Sequence, residues 1–382
     1  MTPALQSVLS PAGPDAALLS RLGWVLFAVG AAIFLLVAVL VLASVVRKRG
    51  RSWSRRLVVG GGLVLPLPLL AALMAWSGWQ ASMLTWPFSG TRIQVTVIAH
   101  MWWWEVRYRD TVTGREVVLA NELRLPVGER VYLALASADV LHAFWVPALA
   151  GKVDMVPGRV HGLTLRADTP GRYRGQCAEY CGTQHAAMAL DVVAVAPGEF
   201  AAWLEHQAAP AASIAAAPAA ASALAVKRPE AGLPESVLPG AAVSGSSDAV
   251  ARLRGAWPPT GAAAASAATG SGTGSVDGLR GKAAAPIGAD QGIHRGREVF
   301  LAARCNACHT VRGVAEGGTL GPDLTHVAGR ARIAAGTLPM NRAAIIGWIA
   351  NPQAAKPGAR MPPASLPPDD LQALASWLES LQ

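Results

Sequence analysis

Gln176–Met188 reads Q-C-A-E-Y-C-G-T-Q-H-A-A-M. Cys177 and Cys181 are followed by His185 and Met188. Two thiols, an imidazole and a thioether packed this densely are soft and borderline donors, which select copper over magnesium or calcium. A blue-copper site uses one cysteine, two histidines and a weak axial ligand. Here two cysteines offer two bridging thiolates, enough to hold two copper ions. A second histidine is still required, from a distant strand. His142 is the candidate, in Asp139-Val140-Leu141-His142-Ala143-Phe144-Trp145-Val146-Pro147. Its apolar surroundings would exclude water. The competing reading is a core histidine with its hydrogen bonds satisfied.

The remaining two of the four cysteines lie in Cys305-Asn306-Ala307-Cys308-His309, so none is left for a structural disulfide. C-x-x-C-H is the attachment pattern of a c-type haem. Two thiols at this spacing bond one macrocycle, and His309 lies under the iron as proximal ligand. A redox dithiol or half a zinc site would share the CxxC. Zinc needs a second ligand pair nearby, and this region has no further cysteine. A thioether on the other side of the iron raises its potential. Met361 fits best, in the proline-stiffened loop Lys356-Pro357-Gly358-Ala359-Arg360-Met361-Pro362-Pro363. Met340 is the alternative, with a packing role as its plainer reading. His294 and His326 are weaker competitors.

Val140–Arg159 and Gln176–Met188 resemble the dinuclear copper A domain of cytochrome c oxidase subunit II. Ala99–Trp104, A-H-M-W-W-W, resembles that family's tryptophan-rich segment. The resemblance covers about residues 15–205, and the haem region beyond it makes the chain similar to the fused subunit II of caa3-type oxidases. It implies copper ligation by His142, Cys177, the carbonyl of Glu179, Cys181, His185 and Met188. It also implies a magnesium or manganese ion on the Glu179 side chain, shared with subunit I, and electron entry through Trp102. Gly321-Pro322-Asp323-Leu324 resembles the segment covering the proximal histidine in small c-type cytochromes.

Mean hydropathy is +0.34 and the apolar fraction is 52%, values that suggest a membrane protein. Two apolar runs, residues 23–46 and 57–79, are long enough to span a bilayer as helices. Trp76 and Trp79 suit an interface. Between the runs, Arg47–Arg56 carries six basic residues. That places the loop on the cytoplasmic side and both termini outside, in the compartment where CxxCH acquires its haem. Most of the net charge of +9 is therefore a topology signal. Residues 92–206 are close to neutral, and no basic stripe for nucleic acid appears. Met1–Ser20 lacks the pattern of a cleaved secretory signal. Either the first span acts as an uncleaved anchor, or a leader precedes Met1. Neither span contains an acidic residue, so no proton path is assigned to them.

The expected architecture is a two-helix transmembrane hairpin in residues 1–90, an all-β cupredoxin-like sandwich in 91–206, a disordered linker in 207–286 and a small all-α cytochrome c domain in 287–382. Strand-like alternation marks Arg92–Ala99, Val131–Ser137 and Arg159–Arg166. The Ala/Pro/Gly-rich linker has too little large apolar content for a core and would hold the haem region at high local concentration near the copper site. In the last region, residues 292–303, 341–350 and 368–381 read as helices. Leu371, Leu374, Leu378 and Leu381 form one stripe.

The implied role is electron entry to a respiratory haem–copper oxidase of the bacterial inner membrane. Donors would be a soluble or membrane cytochrome c, or a quinol–cytochrome c reductase. Partners would be the catalytic subunit I, subunit III and membrane lipid. This chain has no multi-helix haem bundle with which to reduce oxygen alone. A copper A-containing nitric oxide reductase would use the same ligands. A membrane-tethered copper carrier or redox sensor would not need the fused haem.

Overall fold

The computed structural model describes residues 6–46, 55, 59–84, 93–211 and 289–382. The expected basic loop lies almost wholly outside these residues, as does the linker from residue 212 to 286.

Helix α1 (Pro14–Val46) has 33 residues, a rod of about 50 Å at 1.5 Å per residue. It starts well before the apolar run because Pro14 suits a first helical turn. The second apolar run begins as a π-helical turn, Gly60–Val64, and continues as α2 (Pro66–Leu84). The three glycines occupy the widened turn, and Pro66 and Pro68 fall where their missing N–H groups cost least. Both helices are long and apolar enough to cross a membrane, and the apolar window of each is not buried by the rest of the protein.

The chain before α1 is stitched to the sandwich. Ala12 N–H donates to Ala148 O at 2.7 Å and Asp168 N–H to Ala12 O at 2.8 Å. Ala16 is buried there. The start of α1 and the sandwich therefore share one side of the hairpin.

The sandwich has two five-stranded sheets. One runs β3 (Glu116–Ala120), β2 (Trp103–Asp110), β1 (Ile93–His100), β5 (Val131–Ser137), β8 (Val160–Leu165). The other runs β4 (Glu122–Pro126), β10 (Ala189–Val195), β9 (Gly171–Cys177), β6 (His142–Trp145), β7 (Val153–Met155). The pairs β1–β5 and β4–β10 are parallel. Alternation puts Val95, Val97 and Ala99 of β1 inside, opposite Tyr108, Val106 and Trp104 of β2. Trp104 meets Phe144 edge-on at 5.7 Å. Helix α3 (Pro197–Ala208) closes the domain, with Phe200 and Trp203 against Tyr108.

The last region is helical. Helix α4 (Ala289–Ala302) packs against α7 (Pro368–Ser380), where Phe300 and Trp377 rings lie 4.9 Å apart. The leucine stripe packs here: Leu374, Leu378 and Leu381 are buried and Leu371 borders the same core. Between them come a short hairpin of β11 (Arg332–Ile333) and β12 (Leu338–Pro339), then α5 (Arg342–Ala350) and α6 (Pro352–Ala355). The Asn341 side chain caps α5 by accepting from Ala344 N–H at 2.9 Å.

Candidate metal centre and haem site

Pairing of β6 with β9 sets Phe144 opposite Cys177. The start of β6, His142, therefore lies beside the loop that follows Cys177. That loop carries Cys181 and then a 3₁₀ turn, His185–Ala187, before Met188 leads into β10. Three segments thus converge at one end of the sandwich. The two sulfurs are 3.7 Å apart. Cys177 Sγ lies 3.7 Å from His142 Nδ1 and 3.1 Å from Glu179 O. Cys181 Sγ lies 3.5 Å from His185 Nδ1 and 3.9 Å from Met188 Sδ. His142 and Met188 are fully buried. Ligand atoms of His142, Cys177 and Cys181 fall within 4.8 Å of one another.

The donor set fits a cation better than it fits itself. The hydrogen bond with Cys181 holds the Cys177 thiol well below the ordinary thiol range, against the opposing effect of burial. Cys181 is pushed up by that same bond, by burial and by the Cys177 charge. Two neighbouring sulfurs cannot both ionise without a compensating positive charge, which a coordinated metal supplies.

Asp139 is a residue that the sequence reading quoted without assigning a role. Its carboxylate lies 2.9 Å from His142 Nε2 and accepts from Met101 N–H at 2.7 Å and Val140 N–H at 2.8 Å. Burial raises the Asp139 carboxyl, but these hydrogen bonds, led by that from His142, hold it below its ordinary value. With Nε2 committed to Asp139, Nδ1 faces the sulfurs. This is the usual way a second group fixes the tautomer of a ligating histidine. Its signal in the sequence is an acid three residues before His142.

The Glu179 side chain points to a different place. Its carboxylate is half-exposed and 3.4 Å from the Lys152 ammonium. It joins no group of three or more metal-ligand side chains among the described residues.

Trp102 lies in the turn between β1 and β2, outside both strands. Trp104 is the core residue of the triplet, and Trp103 stacks on His100 at 4.3 Å. Freed from the ladder, the Trp102 indole turns to the metal loop and donates from Nε1 to Cys181 O at 2.8 Å.

In the helical region, Cys305–Ala307 forms a 3₁₀ turn, and His309 N–H donates to Cys305 O at 3.0 Å. The turn brings Cys305, Cys308 and His309 together. His309 Nδ1 is 2.7 Å from Pro322 O, so it donates there and leaves Nε2 for an iron. Burial pushes the His309 imidazole down, which keeps it a neutral ligand. A Cβ at Gly321 would come within 2.6 Å of His309 Cε1, so only glycine lets this strap lie against the ring. These features fit a c-type haem. Met361 and Met340 both border the same core as Cys305. His294 is exposed on the outer face of α4. His326 places its two ring nitrogens 2.7 Å from Gln382 O and 2.9 Å from Ala209 O.

Residues 113–195 match the family model for the periplasmic domain of cytochrome c oxidase subunit II, and residues 293–382 match that for cytochrome c. The chain joins a cytochrome c oxidase subunit II domain to a cytochrome c domain. Cytochrome c oxidase subunit 2 of Alkalihalophilus pseudofirmus is 28% identical over 291 residues, which are 76% of this chain and 61% of the relative. The chain thus spans about three-fifths of that relative's length. The Schizosaccharomyces pombe subunit 2 is 34% identical over 134 residues, 29% of this chain and 54% of the relative. A crystal structure of the periplasmic domain of subunit II from Bradyrhizobium japonicum aligns at a TM-score of 0.29 and 28% identity, covering 31% of this chain and 95% of that one. A subunit II domain of this kind implies copper A, and the cytochrome c domain implies haem c.

Proposed function

We propose that the chain is the electron-entry subunit of a respiratory haem–copper oxidase. The observation that carries the reading is the convergence of His142, Cys177, Cys181, His185, Met188 and Glu179 O at one end of a rigid frame. These groups would hold two copper ions. When bound, the haem and copper groups supply one-electron storage at two successive points.

The protein's own residues do the rest. Cys305 and Cys308 would anchor the haem, and His309 and Met361 would hold its iron. Trp102 connects the two sites, since its indole is hydrogen-bonded to the Cys181 carbonyl. The buried frame holds the copper ligands in place, which reduces rearrangement at each redox change. Glu179 would offer one carboxylate oxygen to a magnesium or manganese ion completed by the catalytic subunit.

The subunit would receive electrons from a cytochrome c or a quinol–cytochrome c reductase and deliver them to subunit I, which reduces dioxygen and translocates protons. Subunit III would complete the assembly. The basic Arg47–Arg56 segment orients the hairpin with that loop in the cytoplasm and both metal domains outside.

The test is metal content, optical and EPR spectra and oxygen uptake of the purified membrane complex. Two coppers and one haem per chain with oxygen consumption are expected. Nitric oxide consumption without oxygen uptake would move the subunit to a reductase. One copper or none would remove the proposed conductor.

A further inference from the structure

The loop that carries Met361 has a second face, and that face rests on the copper domain. Lys356 at its start is 3% exposed. Its Nζ donates to Trp102 O at 2.7 Å, to Ala187 O at 2.9 Å and to Ala334 O at 3.4 Å. An ammonium has three N–H donors, and here each has a carbonyl. Two of the three carbonyls belong to the copper domain. Ala187 sits between His185 and Met188, and Trp102 is the residue bonded to Cys181 O.

The neighbouring residues agree. Gly358 has φ +85°, and a Cβ built there would lie 3.4 Å from Trp102 Cη2. A Cβ at Gly182 would lie 3.0 Å from Trp102 Cζ2. The indole is thus closely approached by two glycines, one from each domain. Arg360 adds a looser contact, 3.8 Å from Asp139 Oδ2. Ala189 N–H also donates to Ala335 O at 3.1 Å across the same seam.

A buried charge without partners is costly. In the haem domain alone, Lys356 would keep only Ala334 O, the longest of its three bonds. Its burial is explained only by the seated arrangement. We infer that Lys356 is a positioning residue that locks the Met361 loop onto Trp102, so that the haem side of the chain meets the copper side at one fixed place. This rests on the proposed haem-to-copper direction of transfer. The surface it defines is internal to the chain and needs no acidic patch.

Two experiments on the intact membrane complex test it. The first is acetic anhydride labelling of the native complex followed by peptide mass analysis. Lys356 should react at least about tenfold more slowly in the native complex than in the denatured chain, because only the undocked fraction is open to reagent. Equal rates would overturn the docked position of Lys356, whatever the chain's function. The second is flash-initiated oxidation of the attached haem in Lys356→Met. Transfer from haem to copper should slow by about tenfold, the loss expected from one or two charge-assisted hydrogen bonds in the docked state. The haem potential, the copper near-infrared absorption and direct reduction of copper by a small soluble reductant should stay unchanged. An unchanged transfer rate would overturn the positioning role. If the native complex itself showed no haem-to-copper transfer, the functional reading would fail while the labelling result still stood. If the variant failed to acquire haem, the labelling ratio alone would decide.

Discussion

The two metal regions are built on opposite plans. The copper site takes its residues from three segments of a large sandwich, and 29 buried residues among the described ones form the core beneath it. The proposed haem site takes Cys305, Cys308 and His309 from one turn, in a helical domain that contributes 11 of the 12 buried residues of its described core, Ala211 being the other. The first frame can stand without its metal. The second has little to bury until a haem fills its centre. A large preformed core therefore lets ligands come from far apart, whereas a small core needs its prosthetic group as part of the fold.

The widest gap between the two should appear on removing each group. In Cys305→Ala/Cys308→Ala, no haem is attached, and residues 289–382 should lose their cooperative unfolding transition and become sensitive to protease. Copper chelation should leave the sandwich with a cooperative transition at a lower temperature. Sandwich collapse on chelation, with a stable haem-free helical domain, would reverse the comparison. Differential calorimetry with limited proteolysis reads both.

A smaller effect should follow from Asp139→Ala. Copper affinity should drop about 10- to 100-fold, the usual cost of losing the group that orients a ligating histidine. Competition with a copper chelator measures it. Unaltered affinity would mean that the sandwich fixes His142 without help.

The third test sharpens the haem side. Met361→Leu should lower the haem potential and abolish the sulfur-to-iron absorption band, and Met340→Leu should leave both in place. The opposite pattern would move the axial ligand to Met340. Redox titration of each variant distinguishes them.

The smallest effect concerns the sandwich alone. Burial raises the Glu105 carboxyl, but the hydrogen bond to His100 and the charge of Arg107 hold it below its ordinary value. A depressed folded value gives stability that is present above the unfolded value and lost as pH falls through the folded one. The sandwich should lose stability in that acid range, and Glu105→Gln should flatten this dependence. Denaturant titrations below the ordinary glutamate range, at matched salt, test it. An identical acid slope in both proteins would assign the loss to other carboxylates.

Sequence alone fixed the donor chemistry, because the metal signatures are compact. Cys177 ends β9 and Cys181, His185 and Met188 follow directly after it, and Cys305, Cys308 and His309 lie within one turn, so closeness along the chain becomes proximity in space. It also marked the two apolar helices and the strand alternation, which are local periodicities. Contacts between distant segments were not legible. That His142 faces Cys177 follows from the pairing of β6 with β9. The place of Trp102 in a turn, the hold of Asp139 on His142 and the seat of Lys356 on Trp102 O also appear only when strands and loops close together. The physical reason is that a ligand's element type is written in its own neighbourhood, whereas its orientation is set by the hydrogen-bond acceptor that folding brings to its other side.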